Sequence, residues 1–341
     1  MRIQVNARNR GYEFEALPGE RVLYAGLRAG IDLPYECATG TCGTCKAKAV
    51  AGRVRDGWPQ APGRKFVKPE AAEFLMCQCA AEETLTLEVS KFVYAMEPGA
   101  CVPETCAGAL RNARRLTHDV IGFALELERP RDFDAGQFVL LAPHGLAGYR
   151  AYSMCNFERG GRRLEFVVKR KPDGGFSDWL FGADRDGARL EAFGPLGKAT
   201  FDPALGKNVL CIAGGSGIAG MMSILARAAE ARYFERHKVW VFFGVRTMRD
   251  AFFLQELSAY PAEITVALSE EEVSEKTIQD WPRLRFERGM VHEVAKRSMA
   301  GNYHDVRAYV AGPPPAVDAA IRVLLLEAKL TTDNIRYDKF S

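Results

Sequence analysis

Four cysteines near the amino terminus carry the strongest chemical signal in this chain: Cys37, Cys42 and Cys45, then Cys77. The first three stand in Cys-Ala-Thr-Gly-Thr-Cys-Gly-Thr-Cys. A C-x4-C-x2-C run with a distant fourth cysteine is the ligand spacing of a plant-type [2Fe–2S] cluster. Four thiolates converging on two irons require the backbone to wrap closely round the cluster. Gly40 and Gly43 permit that approach and let amide N–H groups face the sulfurs. Structural zinc is the competing chemistry, but it favours C-x2-C pairs, often with histidine. Here Cys42 and Cys45 form one such pair, and the nearest histidine is His118. Spacing leaves both Cys77 and Cys79 open as the fourth ligand; Cys77, in the apolar run Phe74-Leu75-Met76-Cys77, is the expected one. Cys79, Cys101, Cys106, Cys155 and Cys211 read by default as small hydrophobes or plain thiols.

Two further constellations lie downstream. Arg150-Ala151-Tyr152-Ser153-Met154-Cys155-Asn156 falls on a predicted strand, where Arg150 and Tyr152 share a face. A cationic fork beside an aromatic ring suits a ligand with both phosphate and a flat ring system. Lys169 then begins a basic run that reaches Gly174, Gly175 and Ser177, ahead of a short helix Phe176–Gly182. Glycines before a helix N-terminus make a phosphate cradle of backbone N–H groups. Alone, each feature has a plain reading, since strand tyrosines commonly pack and Lys/Arg runs commonly face water. The segment Cys211–Gly220 ends a strand and opens a helix, with Gly215, Gly217 and Gly220 in G-x-G-x-x-G. A dehydrogenase-type fold would end its next strand in Asp or Glu; this one ends Phe243-Gly244-Val245-Arg246.

The elements that must position these residues group into three predicted domains. Residues 1–92 contain a hairpin about Asn9-Arg10-Gly11, a helix near Glu20–Ala29, the cysteine loop, and strands near Ala47–Ala51 and Thr84–Val89. Residues 93–108, with Pro98, Gly99, Pro103 and Gly108, read as a linker. Residues 109–203 give strands at Phe138–Ala142, Tyr149–Met154, Leu164–Lys169 and Leu190–Phe193, as in a small antiparallel barrel. Residues 204–341 alternate apolar strands (Val209–Ala213, Val239–Val245, Ile264–Leu268, Val306–Ala311) with helices from Gly217, Ala251 and Ala316, the pattern of a doubly wound parallel sheet. The formal net charge of +3 on 341 residues gives no nucleic-acid footprint. No apolar run of membrane-spanning length is seen. Nine cysteines behind a strand-like start predict a cytoplasmic protein with redox chemistry, with a monomer as the default.

Over essentially its whole length the chain resembles the reductase components of bacterial multicomponent oxygenases, closest to those of aromatic-hydrocarbon monooxygenase systems. These join a β-grasp plant-type ferredoxin domain to an antiparallel β-barrel FAD domain and a doubly wound nicotinamide domain. Their R-x-Y-S-x-x-N motif falls on Arg150, Tyr152, Ser153 and Asn156, and their G-x-x-S element on Gly174 and Ser177. Phe133-x-x-Gly136-Gln137-Phe138 and Trp58-Pro59-Gln60-Ala61-Pro62-Gly63 also resemble family segments. The resemblance implies that Tyr152 packs on the isoalloxazine, Ser153 hydrogen-bonds near the reactive flavin nitrogen, and Arg150 pairs with the FAD phosphates. Lys169, Gly174 and Ser177 would lie at the pyrophosphate. Gly214, Gly215, Ser216 and Gly217 match a G-G-T/S-G-x-A-P nicotinamide element, with Gly220 in place of its proline. Gly312 and Pro313 match the family's Cys-Gly-Pro, but Ala311 stands where the cysteine would be, a change expected to tune hydride transfer. Phe340 in the tail is a candidate ring cover, or part of a plain terminal strand.

The implied activity is electron transfer from NADH through FAD to the [2Fe–2S] cluster and on to an oxygenase (hydroxylase) component or a small ferredoxin. Arg246 could meet a 2′-phosphate, whereas Glu270 and Glu271 would repel one; NADH is the expected donor. Thr39, Thr41 and Thr44 are expected at the docking edge of the cluster loop. An NAD(P)H-dependent reductase serving a deoxysugar dehydratase is the alternative, and a redox sensor without turnover is disfavoured by the nicotinamide motif.

Overall fold

The structure is a computed structural model and describes residues 1–340. Strands β1 (Arg2–Ala7) and β2 (Gly11–Glu15) form the expected hairpin, followed by helix α1 (Val22–Arg28). β3 (Lys46–Ala51), β4 (Val54–Asp56), β5 (Glu73–Leu75), β6 (Cys79–Ala81) and β7 (Leu85–Val89) complete the first unit. Its main sheet runs β2-β1-β7-β3-β5, with β1 and β7 parallel. Alternation drives the pairing: Ile3, Val5, Leu85 and Leu87 all point inward and are fully buried under Leu23 and Leu27 of α1. The cysteine loop spans α1 and β3, so the helix and sheet fix both of its ends.

A second sheet of six antiparallel strands, ordered β11-β10-β13-β8-β9-β12, consists of β8 (Glu104–Arg115), β9 (Val120–Arg131), β10 (Phe138–Pro143), β11 (Arg150–Ser153), β12 (Gly161–Lys169) and β13 (Arg189–Leu196). Helix α2 (Gly175–Gly182) follows β12. The two longest strands, β8 and β9, were not marked from sequence. The outer half of β8 is largely exposed and charged, so it lacks the alternating apolar pattern. Residues 104–108 of the segment read as a linker belong to β8. At its other end Val93 is fully buried and its N–H donates to Asn9 Oδ1 (3.0 Å), while Met96 N–H donates to Gly30 O (2.7 Å). The free stretch is therefore shorter than composition suggested.

The third sheet is parallel throughout, ordered β17-β16-β15-β14-β18-β19. Its strands are β14 (Asn208–Gly214), β15 (Val239–Val245), β16 (Glu263–Leu268), β17 (Arg285–Arg288), β18 (Val306–Gly312) and β19 (Ile335–Lys339). Helices α3 (Ile218–Glu230), α4 (Leu254–Ala259), α5 (Glu275–Asp280), α6 (Val291–Ser298) and α7 (Pro314–Leu326) connect them. α3 helps to cover one face, with Ile224 and Leu225 buried, while α6 and α7 pack Val294, Val317 and Leu324 into the other. The fold class matches the expectation: α+β and α/β units, a β-barrel-like sheet between a helix-clasping sheet and a doubly wound one. Because β14 has β15 on one side and β18 on the other, its C-terminal end is the switch point where α/β sheets bind ligands.

Candidate functional site

The cluster loop is built to present sulfur ligands. Gly40 (φ +91°) and Gly43 (φ +78°) both adopt the left-handed backbone that its wrapping requires. Cys37 Sγ accepts from the amides of Thr39, Thr41 and Cys42, each at 3.4 Å, and Cys42 Sγ from Thr44 N–H at 3.5 Å. Cys45 and Cys77 bring their Sγ atoms to 3.2 Å, and the Gln78 amide donates to Cys77 at 3.5 Å. A hydrogen bond from the Cys42 thiol draws the Cys37 thiol down to about 4, with the surrounding donors adding to the effect against burial. Cys79 instead sits in β6, where burial pushes its thiol up to about 11. The loop thus offers four thiols and a ring of N–H donors, which fits a cluster carrying anionic sulfur.

Beside this loop opens a cavity of about 710 Å³, a volume suited to a large organic cofactor. All three units wall it. The first contributes Tyr35, Glu36, Cys37, Thr39, Thr41 and Trp58; the second, Tyr149 to Ser153, Lys169 and Gly174 to Ser177; the third, Ser216, Ala219 and Ile335 to Phe340. Arg150, Tyr152 and Ser153 all line it, although strand alternation assigns Ser153 to the face opposite the other two.

The Tyr152 ring packs at 5.0 Å from Phe176, and burial raises its phenol well above the ordinary range. At α2, Ser177 Oγ accepts from Lys171 N–H (3.1 Å) and lies 3.0 Å from Gly174 O, which tightens the turn round the helix N-terminus. A Cβ on Gly174 would sit 2.7 Å from Ser177 Oγ and 2.8 Å from Lys171 O. That cradle fits a pyrophosphate.

Asn156 differs from the expectation for a cofactor-binding residue. Its amide donates to Arg163 O (2.7 Å) and accepts from Glu165 N–H (2.8 Å), and it is not in the cavity wall. Its contacts pin the end of the flavin-side strand to β12.

At the end of β14, Gly215 takes φ +54° and Gly217 runs so close to β18 that a Cβ would strike Ala311 O. Gly312 lies against Gly214, and Pro313 flanks the same turn. Ser216 carries the turn into the cavity. Phe340 lines the cavity too, and its N–H donates to Gly312 O at 3.0 Å. The tail is therefore both the terminal strand β19 and a cavity wall. Sequence reading missed Tyr35, Glu36, Tyr149 and Asp338. Nothing in their local pattern marks them, because they meet only when the chain ends and barrel converge. Burial, then Glu36, pushes the Asp338 carboxyl up to about 7.

Arg246 lies outside the cavity. Its guanidinium stands 3.6 Å from Asp250, whose other oxygen accepts from Thr247 N–H (3.0 Å) and Oγ1 (2.9 Å). His118 stands 3.9 Å from Asp250 and 3.8 Å from Asp119, which pairs with Lys169 at 3.2 Å. A chain of polar contacts through Asp119, His118 and Asp250 thus joins the cavity lysine to Arg246.

Sequence comparison agrees with this three-part arrangement. Residues 5–82 match the 2Fe-2S iron-sulfur cluster binding domain, 107–201 the oxidoreductase FAD-binding domain, and 211–322 the oxidoreductase NAD-binding domain. Ferredoxin–NAD(P)(+) reductase CarAd of Metapseudomonas resinovorans is 36% identical, over 94% of this chain and 95% of the relative. The chain belongs to the family of reductase components that serve multicomponent oxygenases. The xylene/toluene monooxygenase electron transfer component XylA of Pseudomonas putida is 31% identical, over 93% of this chain and 87% of the relative. Among solved structures, the ferredoxin reductase in carbazole 1,9a-dioxygenase superposes with a TM-score of 0.84 at 32% identity, covering 100% of this chain and 99% of that one. This family member is an NAD(P)H-dependent electron-transfer oxidoreductase with [2Fe–2S], FAD and NAD domains. These relatives lend no support to a deoxysugar dehydratase as acceptor. Among the described residues, no helix is long and apolar enough to cross a membrane.

Proposed function

We propose that this chain takes electrons from NADH and delivers them one at a time to an oxygenase (hydroxylase) component or its small ferredoxin. The observation that carries this reading is the single cavity in which Cys37 of the cluster loop and Tyr152 and Ser153 of the barrel share a wall. When bound, FAD accepts a hydride and releases single electrons, and the [2Fe–2S] centre carries them onward. Cys37, Cys42, Cys45 and Cys77 would hold the cluster. Tyr152 would pack on the flavin ring, Ser153 would hydrogen-bond at its reactive edge, and Phe340 would cover its other side and yield to the nicotinamide. Arg150, Lys169 and the α2 N-terminus at Gly174 and Ser177 would neutralise the pyrophosphate. Gly214, Gly215, Ser216 and Gly217, with Gly312 and Pro313, would admit the nicotinamide nucleotide. Asn156 would act by holding the strand that carries Arg150 and Tyr152.

NADH is favoured over NADPH because Asp250 already engages Arg246 and because Glu270 and Glu271 follow on the adjoining loop. A 2′-phosphate there would meet acids and an occupied cation. The working division is 1–92 for the ferredoxin part, 109–203 for the flavin part and 204–341 for the nicotinamide part, with the connection narrower than 93–108 because residues 104–108 open β8. Unpaired cysteines suit a reducing compartment, which supports a cytoplasmic location.

Anaerobic titration with NADH, followed by visible absorption and low-temperature EPR, tests the proposal. Flavin bleaching accompanied by a rhombic one-electron iron–sulfur signal is the expected result. Bleaching without that signal would overturn the relay, and preference for NADPH would overturn the donor.

A further inference from the structure

We infer that electrons leave this protein at the Cys42 edge of the cluster loop, and that the face formed there by Phe66 and Lys65 receives an acidic protein acceptor. The inference rests on the reductase reading above and adds to it a direction and a partner chemistry.

Of the four proposed ligands, Cys45 and Cys77 are 2% and 0% exposed, so only Cys37 and Cys42 approach the outside. Cys37 belongs to the cavity wall, together with Thr39 and Thr41; Cys42 does not. Two of the three threonines expected at the docking edge are therefore turned to the flavin side. The entry and exit sides of the loop are distinct, and Cys42 with Gly43 marks the exit.

Phe66 lies directly on that exit. A Cβ at Gly43 would stand 2.5 Å from its ring, yet the side chain remains 49% exposed. The ammonium of Lys65 lies 5.0 Å from the ring centroid. Neighbouring charges are mostly cancelled: Arg64 pairs with Asp56, and Lys46 with Glu73 at 3.1 Å. Lys65 and Lys68 make no ion pair among the described residues; Glu70 is the exposed acid of the following turn, and Glu36, on the cavity side of the loop, is held by Thr44 (2.9 Å) and Tyr337 (3.3 Å). A large aromatic left in water beside uncancelled cations has the make-up of an interface anchor with a positive rim. Such a rim selects an acidic partner by steering encounter. One electron passes to each acceptor, reducing a ferric haem to ferrous in the probe below, so one NADH serves two acceptors.

The test titrates the whole, cofactor-loaded protein with the soluble haem domain of cytochrome b5, an acidic one-electron acceptor. Affinity is measured by calorimetry at low and high salt, beside basic cytochrome c. The expected result is salt-sensitive binding of cytochrome b5 in preference to cytochrome c. Lys65→Glu should weaken it about fivefold and flatten the salt dependence, and Phe66→Ala should weaken it about tenfold. NADH-driven flavin bleaching and the cluster EPR signal should be unchanged in Lys65→Glu, whose exposed side chain touches neither the cavity nor the cluster ligands and meets only the Phe66 ring. Unchanged affinity in both variants, or preference for cytochrome c by the unaltered protein, would overturn the docking face. Failure of NADH to raise a cluster signal in the unaltered protein would instead sink the reductase reading, while the binding data judge the face separately.

Discussion

Tyr24 of the ferredoxin helix stacks on Phe193 of the barrel, ring centroids 4.6 Å apart and planes 26° from parallel. The same tyrosine meets Tyr149 edge-on at 5.7 Å and donates its hydroxyl hydrogen bond to Ala38 O at 3.0 Å, next to Cys37. Tyr35 Oη accepts from Gly197 N–H (3.0 Å), and Lys198 pairs with Asp32 (2.6 Å). These contacts seat the cluster loop against the flavin cavity. Tyr24→Ala should therefore uncouple the two: NADH should bleach the flavin at its normal rate while cluster reduction slows at least tenfold. Stopped-flow absorption separates the two events, and equal slowing of both would refute a coupling role. Tyr24→Phe, which keeps the stack and loses the hydroxyl, should cost about 1 kcal/mol of stability.

The α2 cradle gives a test of flavin binding. Gly174→Ala forces a methyl group against Ser177 Oγ and Lys171 O, so the purified variant should lose most of its FAD. Gly182→Ala, at the other end of the helix where no atom lies within 4 Å of the added Cβ, should retain it. Flavin content per protein, read from absorbance after gel filtration, decides between them.

Ala311 is buried at 5% exposure, and its carbonyl packs on Gly217. Ala311→Cys restores the thiol found in the family pattern at small steric cost. It should accelerate flavin bleaching by NADH by less than tenfold, under about 1.4 kcal/mol of barrier. A larger change in either direction would show that the position controls hydride transfer and does not merely tune it.

Asp250 holds Arg246, and removing the acid's charge should release the cation. Asp250→Asn, which preserves a capping side chain, should lower the KM for NADPH about tenfold with little change for NADH, as expected for one freed charge–phosphate contact. Steady-state reduction of ferricyanide with each nucleotide gives the ratio. An unchanged ratio would remove Arg246 from donor selection.

Asp338 titrates near neutrality in the fold, at about 7, because burial and then Glu36 disfavour its charge. A raised carboxyl means that the native state holds a proton the unfolded chain has lost. Stability is thus undiminished below the unfolded value and falls as pH rises toward 7. The unaltered protein should lose about 3 °C of melting temperature relative to Asp338→Asn between pH 4 and pH 8. Calorimetric melts at the two pH values check the sign.

Much of this organisation was legible in sequence because it is local. Cysteine spacing, the Arg150–Ser153 strand and the glycine turn after β14 each specify chemistry within a few residues, and the continuous apolar runs of β14, β15, β16 and β18, alternating with helices, announce a parallel sheet. Helix ends shifted by a residue or two, as at α1, since a frayed last turn carries little pattern. β8 was hidden by the charged, exposed positions of its outer half, whereas β9 carries a buried apolar run, Val120–Leu125, that the reading passed over. Asn156 looked like a ligand contact, yet its amide is used by the backbone of β12. The sequence by itself thus determined the three cofactor chemistries and their order. Only the tertiary structure decided that Cys37 lines the flavin cavity while Cys42 does not, and that Asp338 and Phe340 close the wall. Those relationships join residues hundreds of positions apart through side-chain packing between domains, and no local spacing encodes them.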